Sequence, residues 1–283
     1  MGLSAAAVTA PNRSKPDSLG RGAGPAPPGG DTLIELRDIS KRFGTLQVLN
    51  GLTLSLEGGK TTVVIGESGT GKSVLLKHIM VLLRPDSGAV YFRGTRIDHL
   101  SEAELSPFRQ RFGFLFQMSA LFDSLTVGEN IAFPLREHTR KSSAEIDAIV
   151  ADKLRMVGLD GLQPKRPAQL SGGQRKRVAL ARAIALDPEV VLYDEPTTGL
   201  DPVRADVINE LIRKLQRELG VTSIVVTHDM TSAYKVGDRI VMLDRGRIIA
   251  DGPPDYYRTT DDERVRRFVD GRASPDDLAA LDD

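Results

Sequence analysis

Hydrophobic and polar positions along this chain alternate in some segments and cluster in others, and both patterns predict strands. The sequence becomes strand-like at Thr32, and within 52–57 leucines alternate with polar residues, which is typical of a strand with one buried face. Apolar runs with little or no interruption mark further candidates for buried strands. These runs lie within 62–65, 189–195 and 221–227.

Other segments carry helix signals. Residues 73–83 are apolar and long enough to predict a largely buried helix. Ser142 to Glu145 fits a capping box, and the apolar positions that follow share one helix face. These positions are Ile146, Ile149, Val150 and Leu154. Residues 202–219 form an amphipathic pattern that Gly220 is expected to end.

Composition narrows the class of protein. The 283 residues suffice for one sizeable core and a subdomain. Lys plus Arg and Asp plus Glu both number 38, so net charge gives no argument for nucleic-acid binding. Without cysteine the chain forms neither disulfides nor thiolate zinc sites. No apolar stretch approaches the roughly twenty residues that span a bilayer, so we expect an intracellular subunit that meets a membrane through partners.

A glycine-rich segment follows the first apolar run and precedes the first predicted helix. It reads Gly66-Glu67-Ser68-Gly69-Thr70-Gly71-Lys72-Ser73, which has the spacing of a phosphate-binding loop. Such glycines let backbone N–H groups point at phosphate oxygens at the positive end of a helix. We expect Lys72 to reach the β- and γ-phosphates and Ser73 to bind Mg²⁺. The alternative, a glycine-rich turn without a ligand, is disfavoured by the strand–loop–helix context.

Two carboxylates end the apolar run at 189–195. We expect Asp194 to hold Mg²⁺ through water at the carboxyl edge of a sheet, beside the phosphate loop. Glu195 points the other way if the strand continues, and it is the candidate that deprotonates the attacking water. A pair of solvated carboxylates is the alternative, which the residues that follow, 196–202, make weak.

A second possible anion site lies in Leu170-Ser171-Gly172-Gly173-Gln174, the LSGGQ run. It offers a hydroxyl and glycine N–H groups at the start of a helix predicted to continue to 184. An ordinary serine-capped helix start is the better explanation of the run when it is taken alone. A single nucleotide needs only one such cradle, so a second one requires an explanation.

The order of these motifs supplies that explanation. The phosphate loop, Gln117, the LSGGQ run, the two carboxylates, Asp201 and His228 follow one another as in ABC-transporter nucleotide-binding subunits, which the chain resembles over 31 to about 255. The resemblance implies an α/β fold, a RecA-like P-loop NTPase core with an antiparallel β subdomain and an inserted helical subdomain at about 108–180. It also implies that two copies enclose ATP. The contacts to the nucleotide of the other copy are then Ser171, Gly172, Gly173, Gln174 and Asp201.

The same resemblance implies roles for single residues. Phe43 lies where the family stacks an aromatic on adenine, although a core aromatic is the alternative. Gln117 is implied to touch Mg²⁺ or the attacking water, and to sense a transmembrane partner. His228 is implied to contact the γ-phosphate and to act with Glu195 and Gln117 in catalysis. Asp201 also suits the cap of the helix that begins with Pro.

The ends of the chain differ in composition from its middle. Residues 1–30 are rich in Ala, Gly, Pro and Ser and are predicted to form a flexible leader before a nucleotide-binding domain at 31–254. A C-terminal tail, 255–283, is rich in Arg and Asp. Its short apolar patch comprises Val265, Phe268 and Val269, and a solvated tail is the simplest interpretation.

One stretch points to a branch of the family. Residues 116–138, and also 193–202 and 265–271, are similar to the Mla-type branch, whose complexes move phospholipids with an MCE-domain partner in maintaining outer-membrane lipid asymmetry. The implied partners are a second copy, permease subunits, an MCE-domain lipid-binding protein and a small STAS-type subunit, at the cytoplasmic face of the bacterial inner membrane. This chain departs from the pattern of the resemblance in two places: the leader is additional, and Val74 stands where threonine is commoner.

Other functions remain open from the sequence. The main alternative is an ATPase subunit of an importer or exporter for another solute. A soluble ABC-type ATPase acting on DNA or ribosomes usually has a long coiled coil or two cassettes, and this chain has neither. A small-molecule kinase does not need the LSGGQ run.

Overall fold

The computed structural model describes residues 32–273, so the predicted leader and positions 274–283 of the tail lie outside the described part. The strands are β1 (Thr32–Phe43), β2 (Leu46–Glu57), β3 (Thr61–Ile65), β4 (Ser87–Phe92), β5 (Thr95–Arg96), β6 (Phe112–Leu115), β7 (Val190–Asp194), β8 (Thr222–Val226), β9 (Arg239–Asp244) and β10 (Arg247–Gly252). The helices are α1 (Lys72–Ile79), α2 (Glu102–Arg109), α3 (Val127–His138), α4 (Ser143–Met156), α5 (Gly172–Ala183), α6 (Pro202–Leu219), α7 (Met230–Val236), α8 (Pro254–Thr259) and α9 (Glu263–Val269).

These strands form two sheets. An antiparallel sheet has the order β2-β1-β4-β5, and its alternating leucines Leu52, Leu54 and Leu56 are buried as predicted. The larger sheet has the order β10-β9-β3-β8-β7-β6, in which all neighbouring strands are parallel except β10. The predicted α/β architecture is therefore confirmed.

The core covers both faces of the larger sheet. In β3, Val63 and Ile65 pack with α3 to α7, whereas Val64 faces the opposite cluster, which includes α1 and the antiparallel sheet. Every residue of β3 is buried, which is the pattern of a parallel strand covered on both faces. The parallel strands end on one edge, where the phosphate loop and the two carboxylates meet.

Helix α1 is shorter than its apolar pattern predicts. It ends at Ile79 instead of near 83, because Val81 adopts φ 52° in the left-handed region. The N–H of Leu82 then donates to the Lys77 carbonyl at 2.8 Å, as in a Schellman ending. The apolar pattern alone overestimated the length of this helix, because it carries no signal for the left-handed conformation of Val81.

Two other helices begin where their caps predicted, and one of them also ends where predicted. Ser142 Oγ accepts from the Glu145 N–H and forms the expected capping box at the start of α4. Asp201 accepts the N–H of Arg204 at 3.0 Å at the start of α6, and Gly220 ends that helix with φ 64°. The division of the chain into 31–254, a helical subdomain at about 108–180 and a tail remains a prediction.

The apolar patch of the described tail is not solvated. Tyr257 and Val265 are fully buried, and the Tyr257 hydroxyl donates to the Ile240 carbonyl at 3.0 Å. Phe268 and Val269 pack against the same core. The solvated interpretation is therefore wrong for Val265, Phe268 and Val269, while most polar residues around them are exposed. Within 32–273, no helix combines the length and the apolarity needed to cross a membrane.

Candidate nucleotide site

The phosphate loop leaves β3 and enters α1 through backbone conformations that favour glycine. Gly66 has φ 151°, and a Cβ there would lie 2.2 Å from the Leu243 carbonyl oxygen. Gly71 has φ 103°, and a Cβ there would lie 2.9 Å from the Val48 carbonyl oxygen. Larger residues at these two positions would displace the neighbouring strands. The loop is thus held closely against the core.

Lys72 folds back over this loop. Its Nζ donates to the carbonyls of Gly66 and Glu67, at 2.8 Å each, and its side chain is buried. Burial lowers the pKa of Lys72, while the nearby carboxylates of Glu195 and Asp194 act in the opposite direction. The ammonium group therefore lies inside the loop, in the position from which a phosphate-loop lysine acts.

Ser73 and Asp194 meet across the sheet edge. Ser73 Oγ donates to Asp194 Oδ1 at 2.9 Å. Burial, together with the charge of Glu195, raises the pKa of Asp194, and the hydrogen bond from Ser73 lowers it. Two of the three predicted magnesium ligands, Ser73 and Asp194, are thus brought together, whereas no hydrogen bond joins Gln117 to them within the described residues.

These two oxygen groups fit Mg²⁺, which prefers oxygen ligands and keeps several waters. Among residues 32–273, no cluster of three or more His, Cys, Asp or Glu side chains could hold a metal ion by itself. The donor set therefore suits a metal that takes its remaining ligands from water and phosphate.

Glu195 does not extend its strand. β7 ends at Asp194, and Glu195 adopts φ 49° while its N–H donates to the Val226 carbonyl at 2.9 Å. The sequence prediction assumed that the strand continues through Glu195, and this assumption is wrong. The carboxylate is nevertheless kept apart from the Ser73 hydroxyl, because the left-handed turn directs it elsewhere.

The Glu195 carboxylate has three polar neighbours. His228 Nδ1 lies 3.0 Å from it, and the hydroxyls of Thr198 and Thr227 donate to Oε2 at 3.2 and 3.4 Å. Only 9% of Glu195 is exposed, whereas 58% of the His228 side chain is exposed. A buried carboxylate fixed on three sides, next to an accessible imidazole, has the geometry that a positioned base requires.

A buried network continues from this turn into α6. The Asp229 carboxylate caps α7 and accepts from Ser232 Oγ at 2.6 Å. Ser232 Oγ in turn accepts from Asn209 Nδ2 at 2.9 Å. The helix capped by Asp201 is therefore hydrogen-bonded to the segment that carries His228.

Lys176 is a functional candidate that sequence reasoning missed. Its Nζ donates to the backbone carbonyls of Gln117 and Glu195, at 2.9 and 3.1 Å, and only 5% of the residue is exposed. The signal was present in the sequence, since Lys176 lies three positions from Gly173 and from Ala179 on the buried face of α5.

Gln117 is exposed, and its side chain makes no hydrogen bond within the described residues. The loop that follows it is fixed by Arg182, which donates to the carbonyls of Ser119 and Ala120 at 3.0 and 2.7 Å. The backbone of this segment is therefore held by α5, while Gln117 itself faces outward.

The LSGGQ run caps α5 and stays apart from the phosphate loop. Ser171 Oγ accepts from the Gln174 N–H at 3.3 Å, and Gln174 Oε1 accepts from the Ser171 N–H at 3.0 Å. Within 32–273, no hydrogen bond or ion pair joins this run or Asp201 to the loop at 66–73. One chain therefore assembles the phosphate loop with Asp194, Glu195 and His228, but not with the LSGGQ run.

Phe43 ends β1 with 46% of its surface exposed, and Lys41 Nζ lies 5.7 Å from its ring centroid. The alternative of a core aromatic is thus excluded. An exposed ring at a strand end is available for stacking.

Comparison with known proteins gives this arrangement a family. The sequence profile described as ABC transporter matches residues 49–198, about half of the chain, including the phosphate loop, the LSGGQ run and both carboxylates. The chain belongs to the ABC transporter ATPase family. It is accordingly an ATP-binding subunit with ATPase activity, as the order of its motifs predicted.

Two kinds of curated relatives match this ABC ATPase over most of its length. The intermembrane phospholipid transport system ATP-binding protein MlaF of Haemophilus influenzae is 41% identical over 241 residues, which cover 85% of this chain and 91% of MlaF. The probable ribonucleotide transport ATP-binding protein mkl of Mycobacterium leprae is 44% identical over 239 residues, which cover 84% of this chain and 69% of mkl.

Solved ABC cassettes share the fold. One of them, solved as a dimer in a post-hydrolysis state with ADP and Pi, has a TM-score of 0.73 and 34% identity. The structural alignment covers 78% of this chain and 99% of that cassette. That protein holds nucleotide products in a dimer, which bears directly on the LSGGQ run described above.

Proposed function

We propose that this ABC ATPase hydrolyses ATP at two sites shared between two copies. Each copy supplies the cradle 66–73 to one nucleotide and its LSGGQ run, with Asp201, to the other. The observation that carries this proposal is the separation of the two anion-binding elements within one chain. The dimeric state of the cassette of similar structure supports it.

In the cradle, the glycine N–H groups and Lys72 bind the β- and γ-phosphates, and Phe43 stacks on adenine. Ser73 and Asp194 hold Mg²⁺, with Gln117 approaching when the dimer closes. The metal supplies positive charge that stabilises the transferring phosphoryl group. Lys72 now bonds to carbonyls of its own loop and exchanges them for phosphate oxygens.

Glu195 accepts the proton of the attacking water. Thr198, Thr227 and His228 keep its carboxylate at one place, so the base is positioned before ATP arrives. His228 then turns its exposed imidazole toward the γ-phosphate. Positioning and charge stabilisation supply most of the rate enhancement in such a transfer.

For the transported substrate, we propose phospholipid. The support is the match to MlaF, because it spans 91% of that protein as well as 85% of this chain. Permease subunits, an MCE-domain protein and a small STAS-type subunit complete the complex, at the cytoplasmic face of the bacterial inner membrane.

A ribonucleotide transport ATPase is the second candidate. The mkl protein is slightly more identical to this chain, at 44%, but the alignment leaves about a third of mkl unmatched. The match that spans 91% of MlaF favours the phospholipid system.

The test is to purify the tagged full-length chain from detergent-solubilised native membranes and to identify the accompanying proteins and lipids by mass spectrometry. The same membranes without the tag are the control. A permease, an MCE-domain protein and bound phospholipid are expected. A permease with a nucleotide-binding or other solute-binding protein, and no enriched lipid, would overturn the phospholipid assignment while leaving the ATPase intact.

A further inference from the structure

A cavity of about 320 Å³ lies beside the phosphate loop, outside the nucleotide cradle. It is enclosed by α9 of the tail, by the turn between β9 and β10, and by the loop residue Glu67. Its charged wall comprises Arg245, Arg264, Arg267, Arg272, Glu67 and Asp244. The volume of this space is within the range of small-molecule sites, about 300–1,000 Å³.

Arg267 is the most informative member of this wall. Its Nε is buried, and no hydrogen bond or ion pair reaches its guanidinium from any other residue of 32–273. A buried donor of a charged group is costly to leave unpaired, so the native environment of such a group normally contains an acceptor. Among the described residues, Arg267 lines the cavity, so a ligand there can supply that acceptor.

Two further arginines of the tail are weakly engaged. Arg264 lies 3.4 Å from Asp262, and Arg272 lies 3.4 and 3.6 Å from Asp270 and Glu263. More than half of each arginine side chain is exposed, and exposed pairs at such distances contribute little to stability. Both guanidinium groups can therefore turn onto a ligand at small cost.

We propose that this cavity binds a phosphate monoester through Arg264, Arg267 and Arg272. A monoester carries nearly two negative charges at neutral pH and three acceptor oxygens, one for each of the three tail guanidiniums. A single carboxylate offers one charge and two oxygens. Phe268, which also lines the cavity, packs against the organic part of the ester.

The site communicates with the nucleotide cradle through Glu67. Glu67 lines the cavity, and its carbonyl accepts from Lys72 Nζ at 2.8 Å. An ester bound by the tail therefore changes the surroundings of the phosphate loop from the outside. The proposal goes beyond ATP hydrolysis and does not depend on the transported substrate.

The ester could be a soluble metabolite or the headgroup of a lipid, and two probes distinguish them. Glycerol 3-phosphate, with glycerol as the neutral control, is titrated into the full-length, nucleotide-free protein by calorimetry. Vesicles of phosphatidylcholine with and without phosphatidic acid are tested by co-sedimentation. Saturable binding of glycerol 3-phosphate supports a soluble ester, and binding only to vesicles with phosphatidic acid supports a lipid headgroup.

Variants locate the binding. Arg267→Gln is expected to weaken it at least tenfold, and Arg264→Gln, at an exposed side chain, to weaken it severalfold without affecting the fold. Arg258→Gln makes the same charge change on α8, away from the cavity, and should leave binding unchanged. Lys72→Ala should retain it too. The proposal is overturned if neither probe binds, if Arg258→Gln weakens binding as much as Arg264→Gln, or if binding is lost in Lys72→Ala and kept in both cavity variants.

Discussion

The phosphate loop and the LSGGQ run are both glycine-containing entries to a helix, yet the chain treats them differently. The loop is enclosed by β9, by Asp194 and by its own lysine, and Gly66 and Gly71 cannot accommodate a Cβ. The LSGGQ run is satisfied by its own capping box, and a Cβ at Gly173 would meet only the side chain of Arg204 at ordinary distance. The phosphate loop lies with Lys72 and Asp194 of the same chain, so this half of the proposed nucleotide site is assembled within one copy. The LSGGQ run stays on the surface, where the proposed second copy would contact it.

The largest effect on ATP turnover should come from removing the proposed general base, Glu195. Glu195→Gln keeps the shape of the side chain but loses proton acceptance, so ATP turnover should fall by about 10²- to 10⁴-fold. ATP affinity should be retained, because the cradle is unchanged. Turnover and equilibrium ATP binding are measured on the same preparation.

The exposed α6 variant Glu218→Gln is the matched control and should turn over ATP normally. Turnover of Glu195→Gln at the wild-type rate would show that the carboxylate is not the base.

Removing the lysine of the loop should weaken binding itself. Lys72→Ala deletes the charged donor to the phosphates, and charge-assisted hydrogen bonds of about 1.5–3 kcal/mol predict roughly a 10- to 100-fold loss of ATP affinity. Titration with ATP checks this, with Lys165→Ala at an exposed position as the control.

Mixing this variant with a second one sharpens the comparison between the two halves. Ser171→Ala damages only the run that meets the other copy. A mixed dimer of the two variants has one site with an intact cradle and an intact LSGGQ run, so its turnover should exceed that of either variant alone. If the mixture shows only the average of the two, the LSGGQ run does not act across the dimer.

Lys176→Met tests the contact by which α5, the helix that begins within the LSGGQ run, holds the backbone carbonyls of Gln117 and Glu195. Two backbone carbonyls lose a charged donor, so the free energy of unfolding should fall by about 2–4 kcal/mol and turnover should fall more than ATP affinity. Thermal unfolding and steady-state kinetics measure these effects. Lys141→Met, on the surface, should change neither, and an equal result for both variants would deny Lys176 a positioning role.

Asp194→Asn should have the smallest effect on stability. At neutral pH it should stabilise the folded protein, whereas Lys176→Met should destabilise it. Burial raises the pKa of Asp194 above its usual 3.8, so the folded state holds its proton more tightly than the unfolded chain. The stability that this provides is present at low pH and is lost as pH rises through the folded pKa. At neutral pH the amide should therefore raise the Tm of the nucleotide-free protein while impairing Mg²⁺-dependent turnover. A lower Tm would contradict a raised pKa.

Sequence predicted best what local chemistry determines. The cradle glycines, the capping box at Ser142, the Asp201 cap and the buried β3 all follow from patterns within about ten residues. The positions of Asp194 and His228 at one sheet edge follow from parallel strands ending together.

Contacts between distant segments were beyond the sequence. Lys176 meets Gln117 and Glu195 only after α5 packs beneath both, and the tail reaches β9 only because Tyr257 finds the Ile240 carbonyl. The turn at Glu195 is also tertiary in origin, since its N–H is drawn to β8. These are the features for which no single segment contains the partner.

Helix α5 begins with the run offered to a second copy and, four residues later, holds the base of its own site through Lys176. In the proposed dimer, a tilt of this helix that changes its contact with one nucleotide would also move the base that activates water at the other nucleotide. Helix α5 would then link the two sites mechanically.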